Sequence, residues 1–392
     1  MKTAPKVLFL ARWYPDRFDP MMGLFIKRHA GVAAGFADTA VLYLRAVDDK
    51  LGGFTIENEV DEQHVVTVRV YYSTKTTLPA FIAKLSAAVL FILAFIKGYR
   101  FVLNTWGKPD LIHVNVLTRL GIFALYLRWF SGIRYVITEH WSRYLPITGT
   151  YNGLFRKLAT RLVVSNSEAV STVSLNLAKA MQNHGLKNRN YMVLPNVVDT
   201  GAYVPVVKKP QDGIKRFIHI SCFEDCSKNI SGLLRVLSKL SKVRSDFECS
   251  LVGEGIDLDK MKVLAAGLGL KEPRLRFTGL LENETLVEAY QSADFMVMFS
   301  HYENMPVVIS ESFSCGLPVI ATSVGGIPEY INPGNGRLIA AGDEAGLFDA
   351  INYMLDHYAA FDKQAIRRNA AETFGKEAVA ARLQQLYSFV TF

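Results

Sequence analysis

Residues 300–336 read SHYENMPVVISESFSCGLPVIATSVGGIPEYINPGNG. The stretch opens at the end of an apolar run, FMVMFS (Phe295–Ser300), whose shortness and polar borders mark a buried strand. A loop carrying Glu303 follows, Pro306 stands where a first helical residue is favoured, and Gly316 with Pro318 stops the helix before a second strand, PVIAT. Strand, loop, helix, strand is the repeating unit of parallel sheets covered by helices. Glu303 precedes the helix, and Glu311 lies about 1.5 turns inside it, roughly 7 to 8 Å further along the axis. Free amides at a helix N-terminus suit a phosphate, and a carboxylate on either side can accept hydroxyl hydrogen bonds. Taken alone, the two glutamates are as well explained by attraction to the positive helix end or by solvent exposure.

The same alternation extends in both directions. Upstream, KVLFLA (Lys6–Ala11), DLIHVNV (Asp110–Val116), RYVIT (Arg134–Thr138), LVVSNS (Leu162–Ser167) and YMVLPN (Tyr191–Asn196) are strand candidates separated by segments of helical length, with a helix expected from Gly23. After Pro205 comes VVKKPQDG, a polar stretch marked by Pro and Gly that reads as a linker. The pattern then restarts with RFIHIS (Arg216–Ser221), the helical NISGLLRVLSKLSKV, ECSLVG, LRFTG, FMVMFS and PVIAT. This predicts an α/β chain of two Rossmann-like domains facing a cleft: 1–205, a linker at 206–213, and 214–374. Val379, Leu383, Leu386 and Phe389 predict a terminal helix over 375–392 that packs back across the first domain.

A chain of 392 residues suits two domains with separate cores. With 50% apolar, 20% charged and 11% aromatic residues, it is far from the composition of disorder. Residues 1–200 carry 24 Lys and Arg against 13 Asp and Glu, whereas the remainder carries 20 against 23, so the basic excess belongs to the first half. That field favours an anionic partner. All four cysteines fall in the second half, which gives no disulfide framework and reads as reduced thiols. No uncharged run reaches the roughly 18 residues a spanning helix needs, and the N-terminal apolar run is too short for a secretory signal. The expectation is a cytoplasmic protein that does not cross a membrane.

The segment 300–336 resembles the signature of retaining glycosyltransferase family 4, in which two glutamates separated by seven residues precede a small-residue run, a strand and a Gly-Gly-x-x-Glu turn. Glu303 and Glu311 have that separation, and Gly325, Gly326 and Glu329 match the turn. Further landmarks follow in the family's order: the loop ending at Gly23, TEH at 138–140, PNVVD at 195–199, VGEG at 252–255 and FTG at 277–279. The resemblance implies a GT-B fold with the acceptor mainly on the first domain and the nucleotide sugar mainly on the second. It implies that Glu311 holds the ribose, that Glu303 holds the donor sugar near the Asn304 and Met305 amides, and that Lys228 binds the donor phosphates. Gly23 matches a glycine beside those phosphates, and His140 a histidine at the reacting centre. His113 and Glu139 flank strand ends and read as structural. The family often has an arginine a few residues before Lys228; here Ser221, Cys222 and Phe223 occupy that place.

Other signals carry less. Asp257 and Asp259 spell Asp-x-Asp, but at an expected helix start, where aspartates cap. Cys222 and Cys226 lack the partners of a zinc site. No dinucleotide-binding or P-loop glycine pattern occurs. The resemblance thus implies a transferase moving a sugar from a UDP- or GDP-linked donor to a hydroxyl, with retention, without metal or other cofactor and without nucleic acid. His140, Glu303 and Lys228 are its expected catalytic residues, and a lipid-linked glycan its expected acceptor. The alternatives are a nonhydrolysing nucleotide-sugar epimerase, which needs no acceptor, and a non-catalytic nucleotide-sugar or membrane-binding protein. Finally, LSAAVLFILAFI lies between Lys84 and Lys97, with Lys75 and Arg100 outside it. It predicts peripheral docking on an anionic membrane surface, with a buried core helix as the competing assignment.

Overall fold

The computed structural model describes residues 4–48, 53–76, 79–117, 119–205 and 212–390. Two compact units emerge: Met1–Val173 with Ala178–Asn196 and Val379–Phe392, and Ser174–Leu177 with Val197–Ala378. Most of the expected linker, 206–213, lies outside the described residues.

The first unit is built on β1 (Lys6–Ala11), β2 (Asp38–Val47), β3 (Phe54–Val60), β4 (Val66–Ser73), β5 (Leu111–Asn115), β6 (Arg134–Glu139), β7 (Val170–Thr172) and β8 (Tyr191–Val193). Their order is β3-β4-β2-β1-β5-β6-β7-β8. All neighbours are parallel except β3, which runs antiparallel to β4 with Phe54 opposite Tyr72. Val7 to Leu10 are wholly buried, as a parallel strand covered on both faces requires. The sheet grows one way through β2 and the other through β5, which makes the carboxyl ends of β1 and β5 a topological switch point, the usual ligand position of open α/β sheets.

The helices that alternate with its strands include α1 (Leu24–Ala34), α2 (Ala80–Thr105), α3 (Arg119–Ser131), α4 (Leu154–Ser165) and α5 (Leu175–Asn183), the first residues of α5 grouping with the second unit. α2 lies against β2 and β4 through Phe91, Ala94, Phe95, Gly98 and Val102. A β-carbon at Gly98 would stand 2.7 Å from methyls of Leu42 and Val70, so the missing side chain sets how closely helix and sheet approach. The outer face of α2 leaves Phe81, Leu85, Val89 and Ile92 exposed.

The second unit carries β9 (Lys215–Ile220), β10 (Phe247–Val252), β11 (Leu275–Gly279), β12 (Phe295–Met298), β13 (Val319–Thr322) and β14 (Gly336–Ile339), all parallel, in the order β11-β10-β9-β12-β13-β14. This is the doubly wound Rossmann order, with its switch point between β9 and β12. Its helices include α6 (Asp225–Lys228), α7 (Ile230–Leu240), α8 (Leu258–Gly267), α9 (Asn283–Ser292) and α10 (Val307–Ser314). α7 buries Leu233, Leu234, Val236 and Leu237 in the core. The fold is the expected pair of parallel-sheet α/β domains.

Several local expectations are corrected. LVVSNS is not a strand: Leu162–Ser165 end α4, which buries Thr160, Val163 and Val164 along one face, and the strand is β7. The β-branched pair at 163 and 164 misleads because burial at helical spacing overrides propensity. Pro306 is not helical; it caps α10 in an extended conformation (φ −70°, ψ 129°). The terminal helix spans Lys376–Ser388 and buries Tyr387 beside Leu383 and Leu386, while Phe389 lies beyond its end and is exposed. α2 is a continuous 26-residue helix, since Lys84 and Lys97 do not interrupt it. By length and composition alone it could cross a membrane, contrary to the reading that no segment could. One of its faces is nevertheless packed on the sheet, so it is neither a wholly buried core helix nor free on all sides.

Candidate functional site

In the second unit the loops after β9 and β12 meet at the switch point. The His301 amide donates to the Ser227 carbonyl at 2.8 Å, tying one loop to the other. Lys228 ends α6, and Asn229 follows in a left-handed conformation that starts α7, its side chain accepting from the Gly232 amide. The turn aims Lys228 at Glu303, which accepts from its Nζ at 2.5 Å and from the Ser300 hydroxyl at 2.8 Å. Glu303 is buried, and Lys228 is largely so. Burial works against the ammonium, but the attraction of Glu303 outweighs it and holds the Lys228 pKa above its ordinary value.

Glu311, the fifth residue of α10, is buried and accepts from the Tyr290 hydroxyl at 3.1 Å. Burial, and then the Glu311 charge, push the Tyr290 pKa up, so this phenol stays a donor. The turn after β13 closes the rim. Gly325 (φ +57°) passes so close to the Glu303 carbonyl that a β-carbon would stand 2.0 Å from it, and the Gly326 amide donates to the Asn304 carbonyl at 2.7 Å. Glu329 accepts from the Leu175 and Asn176 amides at 2.7 Å each, capping the start of α5. Asp257 does cap, but through the Asp225 amide at the start of α6 rather than on its own helix. Among the described residues no cluster of three or more His, Cys, Asp or Glu could hold a metal ion.

The first unit gathers its own group at the carboxyl ends of β5 and β6. His140 is buried, its Nε2 3.3 Å from Asn115 Oδ1, its ring against Phe25 and near His29. Burial, with His29 and His113 adding repulsion, keeps it neutral, well below the usual histidine range. Glu139 accepts from three amides, those of Leu117, His140 and Trp141, at 2.8 to 2.9 Å. Burial still raises its pKa, to about 6. His113 bridges Tyr387 and Thr138. Both residues are therefore structural staples. Gly23 starts α1 at φ +70°, where a β-carbon would stand 2.4 Å from the Trp13 backbone, so close chain packing already requires glycine there.

Each predicted residue thus has a place in its own unit: Lys228, Glu303, Asn304, Met305 and Glu311 in the second, Gly23 and His140 in the first. Ser300, Tyr290 and Asn115, which hold these groups, went unread in the sequence. Asn115 ends β5 and Ser300 closes the apolar run FMVMFS just beyond β12, and those positions were the available signal.

Two family models cover most of the chain between them: Glycosyltransferase Family 4 over residues 58–202 and Glycosyl transferases group 1 over 209–373. The chain is a glycosyltransferase that carries both the family 4 and the group 1 domain. It is 27% identical over 290 residues to N-acetyl-alpha-D-glucosaminyl L-malate synthase of Bacillus anthracis, covering 71% of this chain and 74% of that one. A sulfoquinovosyl transferase of Arabidopsis thaliana is 36% identical over 238 residues, 57% of this chain and 44% of that one. Among solved structures, sucrose-phosphate synthase from Thermosynechococcus elongatus superposes with a TM-score of 0.78 at 20% identity over 98% of both chains. Anabaena HepE, solved with UDP, gives 0.73 at 18% identity over 98% of this chain and 100% of its own. These likenesses make the fold of this glycosyltransferase GT-B.

Proposed function

We propose that this enzyme transfers a sugar, with retention of anomeric configuration and without a metal, from a UDP- or GDP-linked donor to a hydroxyl of a lipid-linked acceptor. The observation that carries the reading is the buried Lys228–Glu303 pair at the switch point of the second unit, beside the start of α10. In use, the donor diphosphate takes the ammonium, and Glu303 is left to accept from the donor sugar. Glu311, held by Tyr290, accepts from the ribose. As the bond from the anomeric carbon to the phosphate oxygen breaks, the leaving diphosphate gathers charge, which Lys228 and the α10 amides stabilise. The acceptor oxygen bonds to the same face of that carbon, and its proton passes to the departing phosphate oxygen, so no side-chain nucleophile is needed. From the first unit, His140 is assigned to the reacting centre and Gly23 to the donor phosphates, on resemblance.

Glu311→Ala should weaken nucleotide binding about 10- to 100-fold, from the loss of charge-assisted hydrogen bonds of roughly 1.5 to 3 kcal/mol. Titration calorimetry with UDP and GDP reads this directly, and unchanged affinity would remove Glu311 from the site. Activity should survive EDTA, and proton NMR of the product should show the donor's configuration. Product on an added acceptor, rather than an epimerised donor, separates transfer from the epimerase reading.

Docking on an anionic membrane at the cytoplasmic face is part of the same proposal. The exposed face of α2 offers Phe81, Leu85 and Val89, with Lys84 and Lys97 beside them. Sedimentation with liposomes should show binding that rises with anionic lipid and falls with salt. Equal recovery in the supernatant with and without anionic liposomes would refute docking.

A further inference from the structure

The first unit has a cavity of about 400 Å³ at its own switch point, separate from the residues assigned above. Arg12 follows β1, Leu117 follows β5, Trp141 and Arg143 follow β6, and Arg119 and Arg156 lie in the first turns of α3 and α4. Four guanidinium groups therefore line one space. None of the four forms an ion pair with a carboxylate among the described residues. Glu139, the buried acid whose charge acts on Arg143, already accepts from three backbone amides. The Nε atoms of Arg12 and Arg143 are buried without a hydrogen-bond partner. An unpartnered buried donor carries a desolvation penalty that natural structures avoid unless something fills the site.

The charges also oppose one another. Burial, and then Arg119, lower the Arg12 pKa, and burial, and then Arg156, lower that of Arg143. The Arg143 guanidinium sits over Trp141, its central carbon 3.5 Å from the ring centre, a contact that helps hold it in place. The rim is apolar: Phe155 and Ile122 line the cavity and are exposed. Tyr126, Trp129 and Phe130 extend that exposure along α3, and the α2 side chains Phe91 and Phe95 pack against Phe123 of the same helix. A fourfold cationic cavity at the foot of an exposed apolar helical layer matches a ligand with an anionic head and a hydrocarbon tail.

The geometry points to this cavity as the site that holds the phosphate or diphosphate head of the lipid-linked acceptor, Arg12, Arg119, Arg143 and Arg156 binding its oxygens while the hydrocarbon runs over Ile122 and Phe155. The inference rests on the transferase reading for the word acceptor, but not for the binding itself. The full chain is titrated in detergent with farnesyl diphosphate, farnesol and inorganic pyrophosphate, and separately with UDP and GDP.

Farnesyl diphosphate should bind tightest, farnesol should bind hardly at all, and pyrophosphate should bind more weakly for want of the tail. Arg119→Gln and Arg156→Gln change exposed residues, so folding is retained, and each should weaken farnesyl diphosphate about 10-fold while nucleotide affinity holds. Failure of folded wild type to bind farnesyl diphosphate overturns the proposal, as does binding that the arginine variants leave unchanged. Equal affinity for pyrophosphate and farnesyl diphosphate overturns the lipid assignment. If UDP and GDP fail to bind while farnesyl diphosphate binds, the donor reading of the second unit falls and this site stands.

Discussion

The two switch points handle positive charge in opposite ways. In the second unit a lysine is matched by a buried glutamate that also accepts from Ser300. In the first, four arginines share a cavity and no carboxylate pairs with them among the described residues. A matched pair is stable when empty and must exchange partners to take a phosphate. An unmatched cluster is strained when empty and relaxes on taking one. The first arrangement suits a substrate that arrives and leaves with every turnover, the second a head group to be retained.

The largest effect should come from breaking the matched pair. Lys228→Ala should lower kcat about 100- to 1,000-fold and also destabilise the second unit by roughly 3 to 5 kcal/mol, because Glu303 is left charged and buried. Pairing Lys228→Met with Glu303→Leu should recover the melting temperature and leave the enzyme inactive. Recovery of both would show that the pair is only structural.

Acid should distinguish the units next. Burial depresses the pKa of His29 to about 4 and of His113 to about 3, and holds that of His140 well below its ordinary value. Groups depressed in the fold bind protons on unfolding, so their stabilisation is present above about pH 6.5 and is lost as pH falls toward 4, by up to ~1.4 kcal/mol per pH unit for each histidine. Glu139, raised to about 6, has the opposite sign: its contribution is present below about 4.5 and lost as pH rises through 6. Three histidines outweigh one glutamate. All four tryptophans lie in the first unit, so urea unfolding followed by tryptophan fluorescence should show its midpoint falling between pH 7 and 5, with a shallower fall in His29→Gln.

Smaller effects follow. Gly98→Leu should cost about 1 to 3 kcal/mol by forcing α2 off Leu42 and Val70, and its melting curve should shift accordingly. Arg143→Gln should change stability by no more than about 0.5 kcal/mol, and in the direction of a gain, because it removes a repulsion with Arg156. A clear loss in thermal melting would show that the arginine cluster is internally satisfied after all.

The second unit was the more legible in sequence. Its strands are short apolar runs cut by Gly and Pro, and its glutamates keep a spacing that survives without knowledge of their surroundings. The first unit hid more. β2 and β4 carry Arg45 and Arg69 within them, charges that interrupt the apolar runs by which strands are recognised. Val163 and Val164 looked like strand because local propensity is blind to the helical face they bury. The arginine cavity was unreadable for a different reason: its cations are spread over 145 positions, from Arg12 to Arg156, and only the sheet order brings them together. The excess of basic residues in the first half was its one trace.

Glu139 has a thermodynamic consequence. By holding the Leu117, His140 and Trp141 amides, one carboxylate fixes the loops after both β5 and β6 during folding. Loops that order only around a ligand withdraw conformational entropy from the affinity and deepen the heat-capacity change. A rim set beforehand does neither. Calorimetry of a phosphate-bearing ligand at this rim across temperature should give a nearly flat enthalpy, and Glu139→Gln, with one carboxylate oxygen replaced by an amide donor facing backbone N–H groups, should steepen it.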